Sequence, residues 1–447
     1  MAYEIILGRD EKERERLGTE GAVFLAKQYV KMGPVTTLSQ PVYLDLNQAH
    51  VVFVTGKRGS GKSYSLGVIA EGIATLPEEL RDRFSVLLLD TMGIYWTMKF
   101  PNHKDDALLK EWGLEGMGLK NVKIFTPAGF FKKYKAEGIP TDVPFSINPA
   151  ELGPEDWNMT FELADNDPIA VFIERIILNL KKEKESFDVD DILTAIQADN
   201  TEQVQTKNAA INRFKSVKEW GVFSKNATPI KELAKAGHIN ILDLSAYAVM
   251  PNGWKIKCLV MGVVCEKMFT ERMVVRKAEE FGSIHTAVHY LVSDETEEEQ
   301  KLKGKEMPIV WIMIDEAHEF LPLAGKTAAS DSLITLLREG RQPGIALVLA
   351  TQQPGKISTD AMTQADILLA HRLTAKMDTD ALGSLMQSYL RTGLDRELAG
   401  LPSVPGAALA IDDVNERIYP IRIRPRFSWH GGSAPEAIKE KKKIFEI

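Results

Sequence analysis

The stretch HVVFVTGKRGSGKSYS, residues 50–65, decides the fold. His50 to Val54 form an apolar, β-branched run that reads as a buried strand, and it leads directly into Gly56-x-x-x-x-Gly61-Lys62-Ser63. Glycines at these places let successive backbone N–H groups turn inward into a concave nest for phosphate oxygens. A helix opening at the loop adds the positive end of its dipole. In such a loop Lys62 reaches the β- and γ-phosphates and the Ser63 hydroxyl holds Mg²⁺. The expected nucleotide cradle is Gly56, Lys57, Arg58, Gly59, Ser60, Gly61, Lys62, Ser63 and Tyr64. Lys57 and Arg58 either add positive charge beside the nucleotide or face solvent.

Working outward, Leu66, Ile69, Ala70 and Ile73 share one face of the following helix, and Val86 to Asp90 form the next apolar run. Strand, loop, helix, strand is a βαβ unit, and continuous apolar runs imply a parallel sheet covered on both faces. Short buried-strand candidates recur at Val122 to Phe125, Ile239 to Leu244, Ile309 to Ile314, Ile345 to Ala350 and Ile367 to Ala370. This is the pattern of a doubly wound α/β fold.

The expected organisation has four parts. Residues 1–45 read as a short strand (Ile5 to Leu7) and a charged helix whose apolar stripe runs from Leu17 to Val30, ended by Gly33-Pro34. Residues 46–150 and 236–406 form the core, and 151–235 a helical insertion with Pro154 and Pro168 at helix starts. Residues 407–447 form a hairpin and a lysine-rich tail. The polar run 295–306 reads as an exposed loop.

Three further segments carry chemistry. IVWIMIDEAH (309–318) is an apolar strand closing on two acids, a Walker B pattern. Asp315 would hold Mg²⁺-bound water, and Glu316 would orient and polarise an attacking water. A second buried strand ends at Thr351 and Gln352, and Gln352 is the expected sensor of the γ-phosphate. Arg341, in Glu339-Gly340-Arg341, could neutralise a γ-phosphate in a neighbouring subunit or pair at the surface with Glu339. Arg422, Arg424 and Arg426 alternate with apolar residues, as either a phosphate-tracking face or a solvated one.

Composition narrows the function classes. The chain has 447 residues, 55 basic against 62 acidic, and a formal net charge of −7. That excludes a globally basic nucleic-acid coat, so any nucleic-acid contact needs a local basic patch. With 44% hydrophobic and 26% charged residues the chain is an ordinary globular one. Cys258 and Cys265, two helical turns apart, are expected to share a buried face rather than form a disulfide or metal site, which suits a reducing cytosol. No apolar run is long enough for a signal peptide or membrane span. The eight histidines show no metal-ligand spacing, and no Gly-x-Ser-x-Gly or catalytic triad pattern is visible.

The strings GKRGSGKSYSLG, LLLDTMGIYW, IDEAHEFLP, REGRQPGIALVLATQQPGKIS, ILLAHRL and RPRFSWHGG together resemble the HerA branch of the HerA/FtsK superfamily, from about residue 45 to 432. The resemblance implies a RecA-like P-loop NTPase core binding ATP and Mg²⁺ and assembled as a homo-oligomeric, usually hexameric, ring. It implies pumping of double-stranded DNA, helicase activity, and a nuclease partner of the NurA type in DNA repair or defence, in the cytoplasm. It further implies that Arg341 acts in trans and that Gln352 is the family's strand-end glutamine. Basic pore residues are expected among Lys181, Lys182, Lys184, Arg213, Lys215, Lys218 or Arg422 to Arg426. Two departures stand out. Some 45 residues precede the P-loop strand, where the family carries a β-barrel of about a hundred. Thr91-Met92 stands where the family often has Pro-His.

Overall fold

The computed structural model describes residues 4–32, 35–288, 306–373, 375–385, 397–398 and 400–432. Its strands are β1 (Ile5–Leu7), β2 (Ala22–Met32), β3 (Val35–Asp45), β4 (Val51–Thr55), β5 (Phe84–Asp90), β6 (Val122–Pro127), β7 (Val143–Phe145), β8 (Ile239–Asp243), β9 (Ile309–Ile314), β10 (Ile345–Thr351), β11 (Ile367–His371), β12 (Ala407–Asp412) and β13 (Arg417–Ile423). They form one sheet in the spatial order β1-β3-β2-β13-β12-β11-β4-β10-β9-β5-β8-β6-β7.

From β11 to β7 every pairing is parallel. All seven residues of β5 and all seven of β10 are buried, as strands covered on both faces require. Alternate residues feed two cores. Leu87, Leu89, Ile312, Ile314, Leu347 and Leu349 join the helix Gly253–Val288 and the insertion helices. Val86, Leu88, Met313, Ala346 and Val348 instead pack on the P-loop helix Lys62–Ala74 through Leu66, Ile69 and Ile73. Each fully buried aliphatic side chain contributes roughly 1.5–3 kcal/mol.

Between 151 and 235 lie the helices Pro154–Thr160, Pro168–Glu183, Val189–Ala198 and Val204–Lys218. Pro154 and Pro168 occupy the first turns of theirs, where a missing N–H costs nothing. Trp157, Phe172, Ile176, Ile177 and Phe214 bury the insertion against the sheet core. Cys258 and Cys265 are both buried free thiols on the long helix Gly253–Val288.

The N-terminal segment differs from its reading as a helix. The helix Glu11–Leu17 stops at Gly18, whose φ of +55° leaves helical space, and Gly21 at +67° turns the chain again. Ala22–Met32 is then a strand, with Val23 and Leu25 turned into the core and a long antiparallel pairing with β3. The strand β13 joins this hairpin to the rest through Ile421↔Gln28 and Ile423↔Ala26. β12 and β13 form the hairpin read at the C-terminal end. Gly33-Pro34, the lysine-rich tail and the polar run 295–306 (Glu306 excepted) lie outside the described residues. Among the described residues, no helix is long and apolar enough to cross a membrane.

Candidate functional site

The site lies where β4, β9, β10 and β5 end at the carboxyl edge of the sheet. Strand β4 stops at Thr55, and three glycines then take positive φ: Gly56 at +155°, Gly59 at +77° and Gly61 at +115°. A Cβ on Gly56 would lie 2.4 Å from Ser60 Oγ and 2.6 Å from His371 Cβ, so only glycine closes this loop. Lys62 is buried, and its Nζ donates to the Lys57 carbonyl at 3.3 Å. Burial pulls its ammonium below the usual lysine range, against the pull of the Glu316 and Asp315 carboxylates. Lys57 and Arg58 are exposed, the solvent-facing alternative.

Strand β9 brings the two acids alongside. Ser63 Oγ donates a short hydrogen bond to Asp315 Oδ2, joining the expected metal-holding hydroxyl and carboxylate. Glu316 follows with φ +52°, a left-handed conformation that a residue with a Cβ adopts only at a cost. Its Oε2 is buried with no hydrogen-bond partner. Burial and the Asp315 charge push its carboxyl up to about 7. Ser60 Oγ is a second buried, unpartnered polar atom within the loop. Orphaned acceptors and donors of this kind mark groups that wait for a ligand. Hard oxygen donors beside a lysine and a glycine nest suit a Mg²⁺-triphosphate. Among the described residues no cluster of His, Cys, Asp and Glu forms a separate metal site.

Neighbouring strands complete the wall. Thr351, at the end of β10, is buried, and its hydroxyl lies 3.0 Å from His318 Nδ1. His318 Nδ1 in turn lies 3.6 Å from Glu316 Oε2. Gln352 is half-buried at this tip, its main-chain N–H partly offsetting the rise at Glu316. The end of β11 supplies His371, whose Nε2 lies 2.9 Å from Ser65 Oγ and whose Nδ1 lies 3.2 Å from the Ala407 carbonyl. Burial drives its pKa down to about 4, so it is neutral and acts as a prop under the loop. Sequence reasoning missed His371, His318 and Tyr95 as site residues; their strings ILLAHRL, IDEAHEFLP and LLLDTMGIYW were the signal.

Arg341 is not at this edge. It precedes β10, whose Thr351 pairs with Thr55 beside the loop, so it sits one strand-length, about 20 Å, away at the amino edge. There its guanidinium bonds the Gln48 side chain, not Glu339. It lines an 860 Å³ cleft with Arg83, Lys231, Lys235 and Arg276.

The alternating arginines need a correction. Arg424 and Arg426 are neither a phosphate-tracking nor a solvated face, because both are fully buried against Glu71 of the P-loop helix. Glu71 accepts from Arg424 Nη1 at 3.1 Å, Arg426 Nε at 3.0 Å, the Phe427 and Ser428 amides at 3.0 and 3.1 Å, and Ser428 Oγ. Burial raises its pKa, but the two guanidinium charges outweigh burial and hold it below the usual range. Tyr64 belongs to this clamp: its hydroxyl accepts from the Arg426 amide at 2.6 Å.

The profile of the family described as "Helicase HerA, central domain" matches residues 30–255, just over half of the chain. The DNA double-strand break repair helicase HerA of Pyrococcus furiosus is 27% identical over 170 residues, 37% of this chain and 30% of that protein. The chain thus aligns with less than a third of that relative's length. Among solved structures, VirB4 of Thermoanaerobacter pseudethanolicus superposes with a TM-score of 0.52 at 10% identity, covering 90% of this chain and 96% of that one. That likeness shows a shared fold, α/β with a mostly parallel sheet. Because the family profile covers just over half of the chain and contains the P-loop, this chain belongs to the HerA helicase family of P-loop ATPases.

Proposed function

We propose that this chain is the subunit of a cytoplasmic, six-membered ring that hydrolyses ATP and drives double-stranded DNA through its centre. The observation that supports hydrolysis most is the unpartnered Glu316 oxygen, on a strained residue beside Lys62 and the Ser63–Asp315 pair. Mg²⁺ with ATP supplies charge neutralisation at the transferring phosphoryl group. Lys62 and the loop amides bind the β- and γ-phosphates. Ser63 and Asp315, already joined by a hydrogen bond, are the residues that would hold the metal. Glu316 takes up a proton from the attacking water, and its raised pKa keeps it poised near neutrality. Gln352 reads the γ-phosphate from the tip of β10.

Arg341 acts on the neighbour's nucleotide. Its place at the opposite sheet edge supports this, since it cannot reach its own loop. DNA as substrate rests on the family and on the name of the Pyrococcus furiosus relative. Of the expected pore cations, Arg424 and Arg426 drop out by burial, Lys184 pairs with Asp191 and Lys218 with Asp190. Lys181, Lys182 and Lys215 are exposed on the insertion and are the better candidates. A nuclease partner of the NurA type and a role in DNA repair or defence complete the reading.

The test is ATP turnover with and without duplex DNA across a salt series. A DNA-stimulated rate whose stimulation falls steeply with salt is expected. A rate indifferent to DNA points to an ATPase ring that gates a partner without moving DNA. Mixing Arg341→Ala with Glu316→Gln subunits tests site sharing: mixed rings recover activity that neither variant has alone, and lack of recovery contradicts sharing.

A further inference from the structure

One buried hydroxyl at the site has no role in the reading above. The Tyr95 side chain is 1% exposed, and its phenol oxygen lies 3.4 Å from the Ser63 carbonyl and 3.4 Å from Asp315 Oδ2. It touches both members of the metal-holding pair from a third element. Its position is set by Asp90, which closes β5 next to β9. The Asp90 carboxylate accepts the Tyr95 amide at 2.9 Å through Oδ2, and the Gly93 and Met92 amides at 2.7 and 3.1 Å through Oδ1. Gly93 takes φ +68°, and a Cβ there would lie 2.6 Å from Ser245 Oγ, so the turn carrying Tyr95 has little freedom.

Two hydrogen-bond donors reach Asp315 Oδ2 among the described residues: Ser63 Oγ and Tyr95 Oη. Ser63 can ligate a metal through an oxygen lone pair and still donate its O–H to Asp315, so Tyr95 is a second, independent donor that fixes the same carboxylate oxygen from another element. A phenylalanine would fill the same space, so packing alone does not call for the hydroxyl.

We infer, on the strength of the proposed ATPase site, that Tyr95 is a positioning residue: its phenol holds Asp315 Oδ2 in the orientation that receives Mg²⁺, with Asp90 anchoring the turn that carries it. Partners of this kind, one bond removed from a metal, change metal affinity by roughly 10- to 100-fold.

The experiment is binding of a fluorescent ATP analogue to the full chain, titrated with MgCl₂ and repeated in EDTA. Tyr95→Phe is expected to need about tenfold more Mg²⁺ for the half-maximal change, with affinity in EDTA unaltered. An unchanged Mg²⁺ requirement overturns the inference, and so does an equal loss with and without metal, which signals a packing role. Should Tyr95→Phe fail to fold, Asp90→Asn keeps the phenol and loosens the turn. It should raise the Mg²⁺ requirement by a smaller factor, and no rise overturns the inference. Wild-type chain showing no Mg²⁺-dependent binding at all would instead bring down the ATPase reading beneath it.

Discussion

Lys62 and Glu71 lie on one helix, about 13 Å apart along its axis, and both are buried charges. Around Glu71 every acceptor position is filled: two guanidiniums, two amides and a hydroxyl converge on one carboxylate. Around Lys62 the accounts are open, with Ser60 Oγ and Glu316 Oε2 buried and unpartnered and the Glu316 backbone strained. A satisfied cluster holds two chain segments together, whereas an unsatisfied one stores the interactions that a ligand completes. The same helix is anchored at one end and reactive at the other.

The sharpest way to break this contrast is to neutralise one carboxylate in each cluster. Glu316→Gln should cut ATP turnover by about 10²- to 10⁴-fold, read as phosphate release, the span of a lost general base. Its melting temperature should stay level or rise, because the carboxyl whose Oε2 is buried without a hydrogen bond is replaced by a neutral amide. Glu71→Gln should do the reverse, costing about 3–5 kcal/mol in urea unfolding by leaving buried guanidiniums short of their counter-charge.

A third cluster extends the comparison to the amino edge. His50 is buried between Asp45 and Asp366, with Nε2–Oδ2 at 3.0 Å and Nδ1–Oδ2 at 2.7 Å. Burial works to lower its pKa, but the two carboxylates prevail and raise it from 6.5 to about 9. Arg9 also binds Asp45, and Asp412 lies close enough to feel the His50 charge. A histidine with a raised folded-state pKa contributes stability that is complete below pH 6.5 and lost as pH climbs through about 9. The amount is on the order of 3 kcal/mol. Urea unfolding should weaken over that window in the wild type, and His50→Gln should flatten the dependence. The smallest effect is expected at Gly67, where a Cβ would lie 2.5 Å from Arg426 Nη1. Gly67→Ala should cost about 1–3 kcal/mol through overpacking of the clamp, with the nucleotide site left intact.

Local chemistry made part of this legible beforehand. The P-loop could be read because its glycines, lysine and serine act within eight residues of one another. The parallel strands could be read because burial on both faces leaves unbroken apolar runs. Ala22–Met32 was misread as helix because Ala22, Leu25 and Tyr29 also fall at helical spacing, and only its pairing with β3 selects the strand. Arg424 and Arg426 looked surface-bound because their partner Glu71 is some 350 residues away in the chain. Arg341 carried two readings in sequence, and its distance from the loop emerges only once β10 is laid beside β4.

The central claim is that the unsatisfied end of the P-loop helix is a binding site for ATP with Mg²⁺. Calorimetric titration of ATP into the full chain in MgCl₂, for wild type and Lys62→Ala, tests it most directly. Saturable one-to-one binding that Lys62→Ala loses while remaining folded is the predicted result. No heat with the wild type, or equal affinity in both proteins, would contradict it.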